Sequence, residues 1–373
     1  MRLFFLMFVA VYGVMHLVTL WGLMPLLRKF PLLPFVTGLW MLLMIGAPLL
    51  VRSSENAGHE TLARVLAFAG FGWMGVVFIA FSFFTLVAAW ELLLRFMRLF
   101  QPQLANLSLH GVAGATGVLI LVVLATAYGL YEARDLRVER VRIETPRLPA
   151  GAPPLRVVQV SDIHLGLPNR EGLLLPVIEQ IQALQPDLLV ATGDIVDAQL
   201  DHLNGLSLLW HRVDAPLGKY AVTGNHEYYA GLDQALEFLQ RSGFELLRNR
   251  SVELDGRLKL VGVDDPGRGR EPDERAALGE RSELFTLLLK HRPEVAEASA
   301  PLFDLQLSGH SHGGQIFPFG LLTGLRYPYQ NGLNLLVDGN FIYTSRGTGT
   351  WGPPLRILSP PEVTLIELIP VKS

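Results

Sequence analysis

Four long apolar runs fill the first third of this chain, and no other feature narrows so sharply what it can fold into. They cover 3–27, 32–51, 65–90 and 110–131. Before residue 132 there are only seven basic residues (Arg2, Arg28, Lys29, Arg52, Arg64, Arg95, Arg98) and three acidic ones (Glu55, Glu60, Glu91). Each run is long enough, as a helix, to cross a hydrocarbon layer of roughly 30 Å. Inside such a layer the backbone must satisfy itself, and segments of this kind do so as helices. The first run is too long for a signal-peptide core and lacks a small-residue cleavage site. Pro25, Pro31, Pro34 and Pro48 fall near run ends, where helices tolerate them. The reading is a four-helix transmembrane region over 1–131.

Within the runs, His16 and Glu91 are the ionisable candidates, too few for a polar pathway, so an anchor is expected rather than a transporter or channel. Four spans put the amino terminus, the second loop and the remainder of the chain on one side. That side carries eight arginines (Arg2, Arg52, Arg64, Arg134, Arg137, Arg140, Arg142, Arg147) against four basic residues opposite. The bias predicts that the remainder of the chain is cytoplasmic, on a bacterial-type inner membrane. Residues 132–154 are charged, end in Pro146, Pro149, Pro153 and Pro154, and read as a linker. Alternation over 138–143 suggests an opening edge strand there. The 219 residues of 155–373 suffice for one well-buried domain.

Within 155–373, four short apolar runs each end in a polar cluster. These are Asp162 and His164 in Ser-Asp-Ile-His, Asp194 in Thr-Gly-Asp-Ile-Val-Asp, Asn225, His226 and Glu227 in Thr-Gly-Asn-His-Glu, and His310 and His312 in Ser-Gly-His-Ser-His-Gly-Gly-Gln. A strand that stops at Asp, His or Asn delivers donors to the carboxyl edge of a sheet, where open α/β folds keep their sites. Mixed imidazole and carboxylate donors suit Mn, Fe, Zn or Co. There are too many for one tetrahedral ion, which points to two divalent metal ions sharing a carboxylate, with Asp194 the natural bridge. The chain has no cysteine, which excludes disulfides, thiolate-bound zinc and thiol catalysis.

The order Asp-x-His, Gly-Asp-x-x-Asp, Gly-Asn-His-Glu, a lone His, then Gly-His-x-His resembles the calcineurin-like metallophosphoesterase superfamily over 155–368. The Gly-His-Ser-His-Gly-Gly-Gln form and the tail Ser345-Arg346-Gly347-Thr348-Gly349 are similar to its membrane-associated YkuE-like branch. The resemblance implies a four-layer α-β-β-α sandwich with two mixed sheets. It assigns Asp162, His164 and His312 to one metal, Asn225, His291 and His310 to the other, and Asp194 to both. It makes His226 a general acid or electrostatic stabiliser of the phosphoryl group. Glu227, where many relatives carry Asp, is expected to orient a histidine. The chemistry implied is metal-dependent hydrolysis of a phosphomonoester, phosphodiester or pyrophosphate.

The first region's surplus of four positive charges, removed from a total of −3, leaves −7 for 132–373. Nucleic acid is therefore not an expected partner, since its binding leans on basic tracks. Membrane lipids and a phosphorylated small molecule or lipid are the expected partners, with a lipid-linked or envelope-precursor substrate preferred. The apolar stretch 316–322 follows the last donor cluster, so Phe317 and Phe319 are candidates to meet an acyl chain. Arg346 is a candidate phosphate contact or a structural ion pair. The competing class is a non-catalytic membrane scaffold that keeps the fold as a binding module; a complete donor set speaks against it.

Overall fold

The computed structural model describes residues 2–371, apart from 198–202, 204, 268, 270 and 271. Its contacts divide the chain into two compact units, 1–131 with 352–355, and 132–351 with 356–373.

The first unit is helical. Helices α1 (Arg2–Leu27), α2 (Leu33–Ile45), α3 (Ala47–Asn56), α4 (Glu60–Met97) and α5 (Val112–Glu132) carry the apolar runs. Among the described residues three helices are long and apolar enough to cross a membrane, or four if α2 and α3 form one span. The single helix expected over 32–51 is instead bent by 47° between α2 and α3. Pro48 opens α3 just past Gly46, and a proline there can neither donate to the preceding turn nor fit its carbonyl. The helix expected over 65–90 extends to 38 residues.

Interhelical contacts rest on small residues and a few polar bonds. A Cβ on Gly22 would lie 2.1 Å from the Phe84 ring, so α1 and α4 approach as closely as they do only because Gly22 is bare. His16 is buried and fully bonded: Trp73 Nε1 donates to its Nε2 at 3.0 Å, and its Nδ1 lies 2.8 Å from the Tyr12 carbonyl. A neutral imidazole meets both bonds, which fits a structural role within the helical unit. Glu91 accepts from Ser108 Oγ and the Leu109 and His110 amides at 2.7–3.0 Å, capping the turn before α5.

The second unit begins with β1 (Arg137–Thr145) and β2 (Leu155–Val160), followed by α6 (Glu171–Leu184), β3 (Leu188–Ala191), α7 (Leu206–Leu209), β4 (Lys219–Ala221), α8 (Asn225–Ala230) and α9 (Leu232–Arg241). Next come β5 (Glu245–Leu246), β6 (Arg250–Leu254), β7 (Leu258–Gly262), α10 (Glu274–Leu278), β8 (Phe285–Leu289), β9 (Leu305–Ser308), α11 (Phe319–Arg326), β10 (Gly332–Leu335), β11 (Phe341–Thr344) and β12 (Glu362–Pro370). One mixed sheet has the order β1-β12-β2-β3-β4-β5, the other β10-β11-β9-β8-β7-β6. The stretch expected as a linker therefore holds a full edge strand, since β1 pairs with β12 in parallel from Arg137–Glu362 to Thr145–Pro370. Its alternation of exposed and buried residues is what one covered face requires.

Period-two alternation sends neighbouring residues into different cores. Val157, Leu188, Val190, Ile366 and Leu368 meet Leu258, Leu260, Leu287 and Leu305 between the sheets. Val158, Val160, Leu189, Ala191, Val363 and Leu365 face α6 and α9, where Trp210 is fully buried. Beyond the second sheet, Val261, Leu288 and Ile342 pack against Ala277 and Leu278 of α10 and Phe303. The four layers are present, the outer one reduced to the five residues of α10 and a short turn at Ala300–Leu302. Within each sheet the strands β2, β3, β4 and β7, β8, β9 run parallel, so their carboxyl ends gather their loops together.

Trp73→Phe should remove the donor to His16 and lower the stability of the first unit by about 1 kcal/mol, a usual scale for a hydrogen bond between membrane helices. Thermal unfolding of the full-length chain in detergent would measure it; an unchanged midpoint would mean the bond carries nothing.

Candidate metal centre

Five loops at those carboxyl ends supply the donors. β2 leads to Asp162 and His164, β3 to Asp194, β4 to Asn225 and His226, β8 to His291, and β9 to His310 and His312. Three of these loops turn sharply just past their strands. Asp162, His164, Asp194, His310 and His312 all have φ between 50° and 70°, the left-handed region that side chains other than glycine rarely occupy. Concentrated strain of this kind marks functional sites, because the surrounding fold must enforce it. Glycines precede three donors for want of space. A Cβ on Gly224 would fall 2.1 Å from Asp194 Oδ1, and one on Gly309 2.2 Å from Asp162 Oδ2.

The expected donors converge in two groups. His164 Nε2 lies 3.1 Å from His312 Nε2, which in turn is 3.4 Å from Asp162 Oδ1. His291 Nε2 lies 3.2 Å from His310 Nδ1 and 3.1 Å from Asp194 Oδ2. Asp194 Oδ2 is also 4.0 Å from His164 Nε2, so it stands between the groups. The His310 amide donates to both oxygens of Asp162 at 3.0 Å. Asn225 is buried and its Oδ1 has no partner in the protein. His226 joins His164 and Asp194 in a further cluster that could by geometry hold a cation. Its Nδ1, however, is 2.6 Å from Asp197 Oδ1.

The electrostatics ask for positive charge. Burial pushes the Asp194 carboxyl up, yet His291 and His226 beside it outweigh burial and hold it well below the usual carboxylate range. Burial also pushes Asp162 up, against the pull of His291. Burial lowers His291 and His226, but Asp194 overcomes it in both, aided in His226 by Asp197; they rise to about 10 and about 9. Burial and the His291 charge drop His310 to about 3. Imidazole nitrogens 3.1–3.2 Å apart, an orphaned amide oxygen and interleaved buried carboxylates are a donor set that divalent cations satisfy. The residues present fit such ions.

The family model for calcineurin-like phosphoesterases matches residues 155–314. A metallophosphoesterase of Aquifex aeolicus is 40% identical over 258 residues, 67% of this chain and 98% of its own. The chain belongs to the calcineurin-like phosphoesterase family. It is also similar to the metallophosphoesterase YkuE of Bacillus subtilis, 35% identical over 61% of this chain and 83% of that protein. A transmembrane protein with metallophosphoesterase domain from Danio rerio is 34% identical over 67% of this chain, which spans 61% of that relative. Calcineurin-like phosphoesterases bind divalent metal ions, and the His and Asp clusters fit that property.

Around the donors of this phosphoesterase stand residues to which sequence reasoning gave no role. Asp197, the second acid of Gly-Asp-x-x-Asp, holds His226, and its place three residues past Asp194 was a readable signal. His291 Nδ1 is 2.8 Å from the Thr192 carbonyl, which keeps a proton there and leaves Nε2 to face Asp194. Tyr327 Oη lies 3.0 Å from His310 Nε2, and the fully buried Arg356 reaches to 3.3 Å from His312 Nδ1. Both lie outside the motifs and gave no signal.

One expectation needs correction. Glu227 does not orient a histidine. Buried completely, its carboxylate accepts from the backbone amides of Asp194, Ile195, Val196 and Gly224 at 2.7–3.1 Å. Of the two readings offered for Arg346, the structure shows the ion pair. Arg346 pairs with Glu139 and, at 2.7 Å, with the buried Glu362, which needs a counter-charge. Phe319 opens α11, which is joined to the His312–Gly314 turn, and Phe317 stands two residues before it; they are 45% and 51% exposed.

Glu227→Gln would face at least one of the four amides with a donor instead of an acceptor. It should cost about 2 kcal/mol or more of stability and weaken metal binding roughly 10–100-fold. Glu227→Asp should recover part of both. Thermal unfolding with metal titration of the full-length protein reads the two effects separately.

Proposed function

We propose that the chain is a membrane-anchored hydrolase of phosphoesters that works with two divalent ions, of Mn, Fe, Zn or Co type, and prefers a lipid-linked or envelope-precursor substrate. The observation that carries this reading is the position of Asp194 between two donor groups, with His226 clustered beside His164 and Asp194. Asp162, His164 and His312 would hold one ion, Asn225, His291 and His310 the other, and Asp194 would hold both. When bound, such ions supply a water acidic enough to react near neutral pH and positive charge for phosphoryl oxygens.

The chain's own residues then do three things. The strained loops fix the donors before substrate arrives, so little reorganisation is needed during reaction. Asp197 holds the Nδ1 edge of His226 and favours its protonated form. That leaves Nε2 to give a proton to the departing oxygen. Trp351 and Tyr229, with ring centroids 5.6 and 5.1 Å from that of His226, screen it from water. The preference for a lipid-linked substrate is supported by the apolar helices of the first unit and by the exposed Phe317 and Phe319. The arginine bias supports a cytoplasmic mouth on a bacterial-type inner membrane.

Asp194→Asn should abolish hydrolysis of bis(p-nitrophenyl) phosphate and strip bound metal. His226→Asn should keep its metal and lose roughly 10²–10⁴-fold in kcat. Elemental analysis beside turnover separates the two; a His226 variant without metal would make that residue a ligand and defeat the assignment. For orientation, a carboxyl-terminal alkaline phosphatase fusion should stay inactive in cells. An active fusion would put the catalytic unit on the outer side.

A further inference from the structure

Among the described residues of the second unit, the densest run of exposed apolar side chains lies just past the last donor cluster; Leu208, Leu333, Leu335 and Val337 are exposed elsewhere. Phe317, Phe319, Leu321, Leu322 and Leu325 are 45–83% exposed, all within nine consecutive residues. Helix α11, which carries four of them, has no buried residue at all. Its exposure is built in rather than loose. Gly314 and Gly320 meet so closely that a Cβ on Gly314 would fall 2.2 Å from Gly320 Cα. Gln330 donates to the Gly320 carbonyl at 3.0 Å and also bonds Thr323, while Ser311 Oγ donates to the Gln330 carbonyl at 2.6 Å. These bonds hold α11 against the loop that carries His310 and His312.

The same rim continues around the site. Phe317 is hydrogen-bonded through its amide to Ile357, beside Leu358, which is 67% exposed. Gln315 exchanges bonds of 2.9 and 3.0 Å with the backbone of Trp351, which is half-exposed and whose ring reaches His226. Tyr229, whose ring also lies beside that of His226, is 57% exposed. Exposed apolar patches of this continuity mark a surface that is covered in use. Aromatic residues at the edge of such a patch suit the interface between lipid and water.

We propose that this rim, centred on α11, is a bilayer-contacting surface, and that the catalytic unit works with α11 lying in the lipid interface. The inference rests on the membrane anchoring proposed above and goes beyond it by naming the element that touches lipid. The chain supplies the argument for a bilayer over any other occupant. Between Glu132, the last residue of α5, and Arg137, the first of β1, stand four residues. Their fully extended reach is roughly 18 Å. A helix long and apolar enough to span a membrane is thus tied to the catalytic unit by a very short tether. Lipid is then the apolar phase always at hand, and burying leucines in it gains what burial in a core would.

The chain lacks cysteine, so single labels can be placed without background. Leu325→Cys and, separately, Leu321→Cys would carry an environment-sensitive fluorophore. Asp255→Cys, in the turn between β6 and β7 at the sheet edge away from the site, serves as the reference. Full-length protein would be placed in nanodiscs of equimolar phosphatidylcholine and phosphatidylglycerol, one chain per disc. The labels at 321 and 325 should shift to the blue and be quenched by spin-labelled lipid, while the label at 255 does neither. Water-like emission at both α11 positions would overturn the proposal. A blue shift without quenching by lipid would overturn it equally, because a protein surface would then cover α11. The readout needs no turnover, so it stands or fails apart from the proposed chemistry.

Discussion

One carboxylate holds the catalytic end of this fold together. Glu227 is the third residue of α8, and from there its side chain reaches back to the Gly224 amide, as a helix-capping glutamate does. Gly224 has no side chain to complete the cap, so the rest of the carboxylate is free to cross to the neighbouring loop. There it takes the amides of Asp194, Ile195 and Val196. These are the amides a sharp, left-handed turn at Asp194 leaves without ladder partners, and a buried amide left unpaired is costly. A charge in the interior thus stabilises a backbone shape that would otherwise unfold, and that shape places Asp194 between the two donor groups.

The site is therefore an arrangement of strain held from behind. Five donors sit in left-handed backbone, and further bonds tie several of the site's side chains in place. Asp162 accepts from His310, His291 donates to Thr192, and His310 meets Tyr327. The close loop approaches need bare glycines, which explains Gly-Asn and Gly-His better than any demand of the chemistry itself. The surrounding sheets, buried on both faces, give the loops a base that does not yield.

The apolar surplus of the chain is divided by the same logic of burial. In the first unit it covers helices apolar enough for a hydrocarbon phase to satisfy it, and polar bonds such as Trp73 to His16 join helices without charge. In the second unit it fills three cores and reappears at α11, fixed by glycine contact and by Gln330 beside the donor loop.

Local signals in the chain were enough for much of this. A strand that ends in Asp, His or Asn can be read from hydrophobic period alone, and so could the donors and the sheet edge they occupy. Span-length apolar runs and the opening strand at 138–143 are equally local, since the period of a pattern needs no partner to be seen. What stayed hidden depended on distant neighbours. The break at Gly46 and Pro48 outweighed a continuous apolar run. Arg346 was taken by Glu139 and Glu362, residues 207 and 16 positions away, because a buried carboxylate needs a counter-charge. Tyr327 and Arg356 joined the site only through the folded path of the chain. The sequence by itself determined which atoms could bind metal and which segments could enter lipid, because those are properties of side chains and their period. Only the tertiary structure decided which buried charge faces which backbone, because that pairing is set by loops brought together from separate strands.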